Sequence, residues 1–129
     1  MFVEKTVTAT PTFDTVKVQM IHTEATSAAK AAVAKMLDEW TESTGGNQYG
    51  EPMYCGFAWV DVKERSNSKL GKALQSIGFR KSYQSGVLQL WDPAQHPGQS
   101  MDCKEAGANA YAEVLCNYGI KAYAGSRAD

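Results

Sequence analysis

The chain has 129 residues, of which 43% are hydrophobic, 10% aromatic and 21% charged, with a net charge of −1. That length fits one domain able to bury a core without disulfides or metals, and the near-zero charge excludes a global field that would gather nucleic acid or anionic membrane. No run of about 18 apolar residues occurs, which excludes a transmembrane helix, and MFVEKTVTATPTF is too polar for a secretory leader, so the cytosol is the expected compartment.

Residues 1–12 are threonine-rich and punctuated by Pro11, which reads as an arm or a short edge strand. In FDTVKVQMIH (13–22), Val16, Val18 and Met20 alternate with Thr15, Lys17 and Gln19, the pattern of a half-buried strand. Thr23 to Ser27 offer N-caps for a helix over about 26–42, whose apolar stripe is Ala29, Val33, Met36, Leu37 and Trp40. GGNQYGEP (45–52) is a loop by composition.

MYCGFAWVDV (53–62) is the strongest strand signal. Tyr54, Ala58, Val60 and Val62 share one face and Cys55, Phe57 and Trp59 the other. Apolar residues on both faces predict a central strand covered on both sides, with Phe57 and Trp59 largely buried. Gly56 in its midst predicts close approach by a helix or a neighbouring backbone. Ser66 or Ser68 caps a short helix over 68–77, with Leu70, Leu74 and Ile77 inward and Gly78 just past its end. FRKSY and VLQLW about Gln84-Ser85-Gly86 predict a hairpin, and DPAQHPGQ (92–99) a loop. Asp102 with Glu105 three residues on fits a capping box. It opens a helix carrying Cys103, Gly107, Ala110, Val114 and Tyr118 on one face, stopped by Gly119 and followed by a strand at 120–124.

The expected fold is α+β, a mostly antiparallel sheet with two main helices on one face. Merging the hairpin strands and setting aside the short helix leaves β-α-β-β-α-β, a ferredoxin-like split β-α-β with a short helical insertion. Cys55, Cys103 and Cys116 are odd in number and lack C-x-x-C spacing, so all three are expected to be reduced packing residues.

YCGFAWVDV, SKLGKALQSIGFRKSYQSGV and QSMDCKEAGANAYAEVL with GIKAYAGSRAD resemble a group of small bacteriophage-encoded and environmental proteins with no established activity, over roughly residues 53–129. The resemblance implies a phage or phage-host setting, hence a host cytoplasm, and carries over no catalytic residue.

Few residues suggest chemistry. His22 and His96 belong to no H-x-x-x-H or H-E-x-x-H pattern, so neither a metal site nor a catalytic residue is expected. The glycines of 45–52 match neither nucleotide-binding loop motif, and no cofactor is expected. Asp38, Glu39 and Glu42 read as a solvated helix face. Asp61 and Glu64 flank the exit of the strongest strand as the carboxylates open to acid–base work, but spacing fixes no partner for either. The clearest asymmetry is 61–85, where Lys63, Arg65, Lys69, Lys72, Arg80 and Lys81 face only Asp61 and Glu64, a balance of +4 in a chain of net −1. Phe79 and Tyr83 interleave with these charges, and Trp59 and Trp91 lie near in sequence. Charge for a backbone and rings for bases is what single-stranded nucleic acid requires, and four-stranded sheets present aromatics to RNA, although GFRKSYQSG is not an RNP1 string. A solvated helix face with core aromatics explains the same residues without a ligand.

The sequence therefore predicts a non-enzymatic binding or interaction protein, its contact surface at Lys63, Arg65, Lys69, Lys72, Arg80, Lys81 and Tyr83, and its partner an anionic ligand such as single-stranded nucleic acid, or a protein. No membrane partner is expected, and an edge strand in so small a sheet is a route to a homodimer. The alternative is a small enzyme acting on a nucleotide or phosphorylated ligand at the same surface. AGSRAD reads as a frayed polar tail carrying Arg127 and Asp129.

Overall fold

The computed structural model describes residues 13–43, 55–98 and 100–128. The arm at 1–12 and the loop at 45–52 lie outside them. The chain runs α1 (Thr15–Ser43), β1 (Gly56–Lys63), α2 (Lys69–Ser76), β2 (Arg80–Lys81), β3 (Val87–Trp91), α3 (Met101–Asn117) and β4 (Ala122–Ala128). The fold is α+β, with a four-stranded antiparallel sheet in the order β2-β3-β1-β4. β3 and β4 flank β1, both antiparallel to it, and are joined through α3. The crossover therefore spans one intervening strand.

The strand expected at 13–22 is helix, so the β-α-β-β-α-β order is not observed. α1 begins at Thr15 rather than near 26. Asp14 caps it, its carboxylate accepting from the Lys17 N–H at 2.8 Å. Val18, Ile21, Ala25, Ala29 and Val33 form one buried stripe at spacings of three and four, whereas Val16 is 75% exposed and Met20 is exposed as well. Val16 and Met20 share a face in either structure, being four apart, but Val18 shares it only in a strand and turns inward in the helix. What α1 gains is burial of Val18 and Ile21 in the core.

α1 packs on α3 and α2, and α3 lies against β1 and β4. α3 is capped by Ser100, whose hydroxyl accepts from the Cys103 N–H at 3.3 Å, so the cap lies two residues before the expected Asp102, which sits in the first turn. Cys103, Gly107 and Val114 are buried as expected, together with Tyr111 and Leu115. α2 has the Ser68 cap, and the hairpin forms between β2 and β3. A Cβ on Gly56 would sit 2.6 Å from the Arg127 carbonyl oxygen and 2.7 Å from Met101 Sδ, so β1 does approach both a strand and a helix there. Cys103 is buried, Cys55 and Cys116 are exposed, and no disulfide joins them. A thiol reagent should modify Cys55 and Cys116 in the native protein and Cys103 only on unfolding. One reactive thiol after full unfolding would reveal a disulfide.

Tyr111 is fully buried at the centre of the core. Its hydroxyl and His22 Nδ1 share a 2.7 Å hydrogen bond between α3 and α1. Burial lowers the His22 pKa from its ordinary 6.5, because the charged ring loses solvation. As pH falls, the unfolded chain takes this proton before the folded one does. The contribution is therefore complete above the unfolded value near 6.5 and lost as pH drops through the lower folded value. Urea midpoints at about pH 5 and about pH 7.5 should show an acid-side loss that His22→Gln reduces. An unchanged slope in that variant would assign the loss to other groups.

Candidate functional site

Strand register sorts the sheet into two faces. Ala58, Val60 and Val62 of β1 point into the core with Leu88 of β3 and Ala122 of β4. Phe57, Trp59, Asp61 and Lys63 point the other way. Beside them, in register, stand Trp91, Gln89 and Val87 of β3 and Arg127, Gly125 and Tyr123 of β4, and Arg80 of β2 extends the Gln89–Asp61–Tyr123 row. Among the described residues no helix packs on this outer face.

β1 is central in the sheet, as expected, but it is not covered on both sides. Phe57 and Trp59 are half-buried rather than buried, Trp91 is 47% exposed and Tyr123 55%. The rings shelter one another. Trp59 and Trp91 lie with centroids 4.8 Å apart at 31°, and Phe57 meets Trp91 edge-on at 5.9 Å. The Trp59 indole crosses over Gly125, where a Cβ would approach its Nε1 to 2.6 Å. Both indole N–H groups are used within the sheet: Trp59 Nε1 donates to Asp61 Oδ2 at 3.3 Å and Trp91 Nε1 to Gln89 Oε1 at 3.0 Å. These hydrogen bonds fix the orientation of both indoles, which incline towards each other. The other carboxylate oxygen of Asp61 is buried without a hydrogen-bond partner among the described residues.

The expected basic surface is divided. Arg80 and Lys81 are successive strand residues and lie on opposite sides of the pleat. Arg80 joins the open face, in a depression of about 370 Å³ shared with Gln89 and Trp91. Lys81 also borders a groove of about 400 Å³ with Glu64, Arg65, Ser66 and Asn67. Lys63 is exposed on the outer face of β1. Lys69 and Lys72 are exposed on α2 and line neither depression, and Tyr83 is 97% exposed at the hairpin tip. The structure thus sets Arg80 beside Trp91, places Lys63 on the same face but opposite Val87, puts Arg65 and Lys81 on one groove, and leaves Lys69, Lys72 and Tyr83 outside either cluster.

The residues missed from sequence are Phe57 and Trp59, read as core, with Tyr123 and Arg127. The terminal segment is no frayed tail: β4 pairs with β1 along its length, which sets Arg127 opposite Phe57. A signal was present. Asp61 and Lys63 continue the Phe57–Trp59 face, and two charged side chains do not line a dry interior.

Among the described residues no cluster of three or more histidine, cysteine, aspartate or glutamate side chains has metal-binding proximity, and no helix is long and apolar enough to cross a membrane. No protein-family model matches the chain, and no curated protein or solved structure matches it either.

Proposed function

We propose that this is a non-enzymatic binding protein that takes single-stranded nucleic acid on the open face of its sheet. The observation that carries the reading is the Phe57–Trp59–Trp91 cluster on the uncovered face of the sheet, its two indoles held by hydrogen bonds, with Arg127 opposite Phe57, Arg80 beside Trp91 and Lys63 farther along β1. Stacking on such rings suits every base, and the cations supply the complement to phosphate. Among the described strand residues of this face three basic side chains stand against Asp61, although the whole chain is slightly acidic. Base stacking from an uncovered four-stranded sheet is a known mode of RNA recognition. The bacteriophage and host-cytoplasm setting is proposed on the sequence resemblance alone. β4 is an edge strand, and we propose it as the route by which a second copy would add to the sheet.

The enzymatic alternative receives no support of the same kind. The perturbed groups among the described residues are His22 with Tyr111, which face each other between α1 and α3, and Tyr118 at the end of α3, whose hydroxyl donates to Glu24 of α1. The test is a titration of intrinsic tryptophan fluorescence with a short single-stranded oligonucleotide at low salt. We expect quenching that salt reverses steeply, and weaker quenching by the matching duplex, whose bases are not free to stack. No response at low salt would remove nucleic acid from the reading. Light scattering that shows a dimer with Trp91 protected would make the face a contact between copies.

A further inference from the structure

Phe57 is flanked by two cations from different elements. Lys104 Nζ lies 5.4 Å from its ring centroid and the Arg127 guanidinium carbon 5.8 Å. Arg127 arrives along β4, opposite Phe57 in register. Lys104 arrives from the first turns of α3. β3 ends at Trp91, in register with Trp59, so β1 has no β3 partner at Gly56 and Phe57. There the Lys104 ammonium donates to the Gly56 carbonyl oxygen at 3.2 Å.

Lys104 is 8% exposed. A charge so buried is costly unless paired, and among the described residues neither Lys104 nor Arg127 meets a carboxylate within ion-pair distance. Among the described residues, Lys104 has a carbonyl dipole and the Phe57 ring. Its ammonium carries three donors, of which the Gly56 bond uses one. The Arg127 side chain is exposed and carries five donors of its own. Two positive groups without a counterion among the described residues are therefore held at the end of an aromatic platform.

Resting on the nucleic-acid reading above, we infer that Lys104 and Arg127 hold the backbone phosphates flanking the base that stacks at Phe57. The partner's charge then lies at the Phe57 end of the sheet, and its neighbouring base lies over Trp91 and Trp59. Ring and phosphate site come as one unit because Phe57 fixes both cations by cation–π attraction. Of these two residues, the one on α3 links the phosphate site to the core and the one on β4 lies open to solvent.

The test uses the full chain and a labelled single-stranded DNA of about 10 nucleotides, alongside the same sequence with uncharged methylphosphonate linkages. Lys104→Met keeps the buried stem and removes the charge, and Arg127→Gln removes the exposed one. Each should lower the slope of log affinity against log salt by about 0.7, the contribution of one phosphate contact on a single strand. The uncharged oligonucleotide should bind wild type and both variants alike. Arg127 is exposed, so Arg127→Gln decides the matter even if Lys104→Met does not fold. Binding with an unchanged slope in Arg127→Gln would overturn this inference and leave the nucleic-acid reading standing. No binding to the wild-type chain would overturn both.

Discussion

Replacing Tyr111 by alanine should lower the unfolding free energy by about 3–5 kcal/mol, the usual cost of deleting a buried aromatic ring. For a domain holding roughly 5–15 kcal/mol in total, that leaves a marginal protein. Tyr111 has no exposed surface. Its ring meets Phe79 at 6.3 Å and His22 edge-on at 5.7 Å, so one side chain ties α3 to α1 and to the residue preceding β2. Tyr111→Phe separates packing from polarity. It keeps the ring and removes the hydroxyl that pairs with His22 Nδ1. Its cost should be about 1–3 kcal/mol, that of an unsatisfied polar group, towards the lower end because His22 is only half-buried. Burial raises the Tyr111 pKa well above the phenol range, so the hydroxyl is neutral throughout and the difference should not depend on tyrosine ionisation. Urea unfolding with a shared m-value measures both. Equal losses in the two variants would mean that the hydrogen bond, and not the ring, holds the helices together.

The elements legible in the sequence are those whose signals are local. Ser68 accepts from Gly71 N at 2.9 Å and starts α2. Gly119, at φ 92°, ends α3 where the sequence placed the stop. Gly86, at φ 78°, supplies the hairpin turn. The elements misread are those decided by distant partners. The start of α1 looks like a strand because Val16 and Val18 are β-branched, yet Val18 and Ile21 are buried among residues far along the chain. β4 extends to Ala128 because β1 offers it a full ladder of partners, not because AGSRA favours a strand. The site followed the same rule. The cations near one another in sequence, Lys69, Lys72, Arg80 and Lys81, were dispersed by a helix and by the alternation of a strand. Arg127 and Lys104 were brought to Phe57 from segments that carry no basic cluster of their own. Only the Asp61 and Lys63 positions announced locally that one face of β1 opens to solvent.

Trp91→Ala should weaken single-stranded oligonucleotide binding by about 1–3 kcal/mol, the cost of losing one base–aromatic stack, which is roughly 5- to 150-fold in affinity. The fold should survive, because Trp91 is 47% exposed at the end of β3 and its indole N–H bonds only to Gln89 on its own strand. Trp59→Ala should lose binding as well, with some stability, since the ring is half-buried across Gly125. Gly125→Val is the sharper probe. A Cβ there would sit 2.6 Å from Trp59 Nε1 and 2.8 Å from Cε2, so the indole must lift off the sheet. Valine suits a strand, no aromatic is deleted and no charge is changed. If the tethered, mutually inclined indoles form the stacking surface, this variant should bind more weakly while its salt dependence stays that of the wild type, because phosphate contacts are untouched. Near-ultraviolet circular dichroism would report the displaced indole, and anisotropy titrations at two salt concentrations would report the binding. An affinity unchanged within about twofold in Trp91→Ala, with the variant folded, would show that the open face of the sheet is not where the ligand lies. The Arg65–Lys81 groove would then be the basic surface to test next.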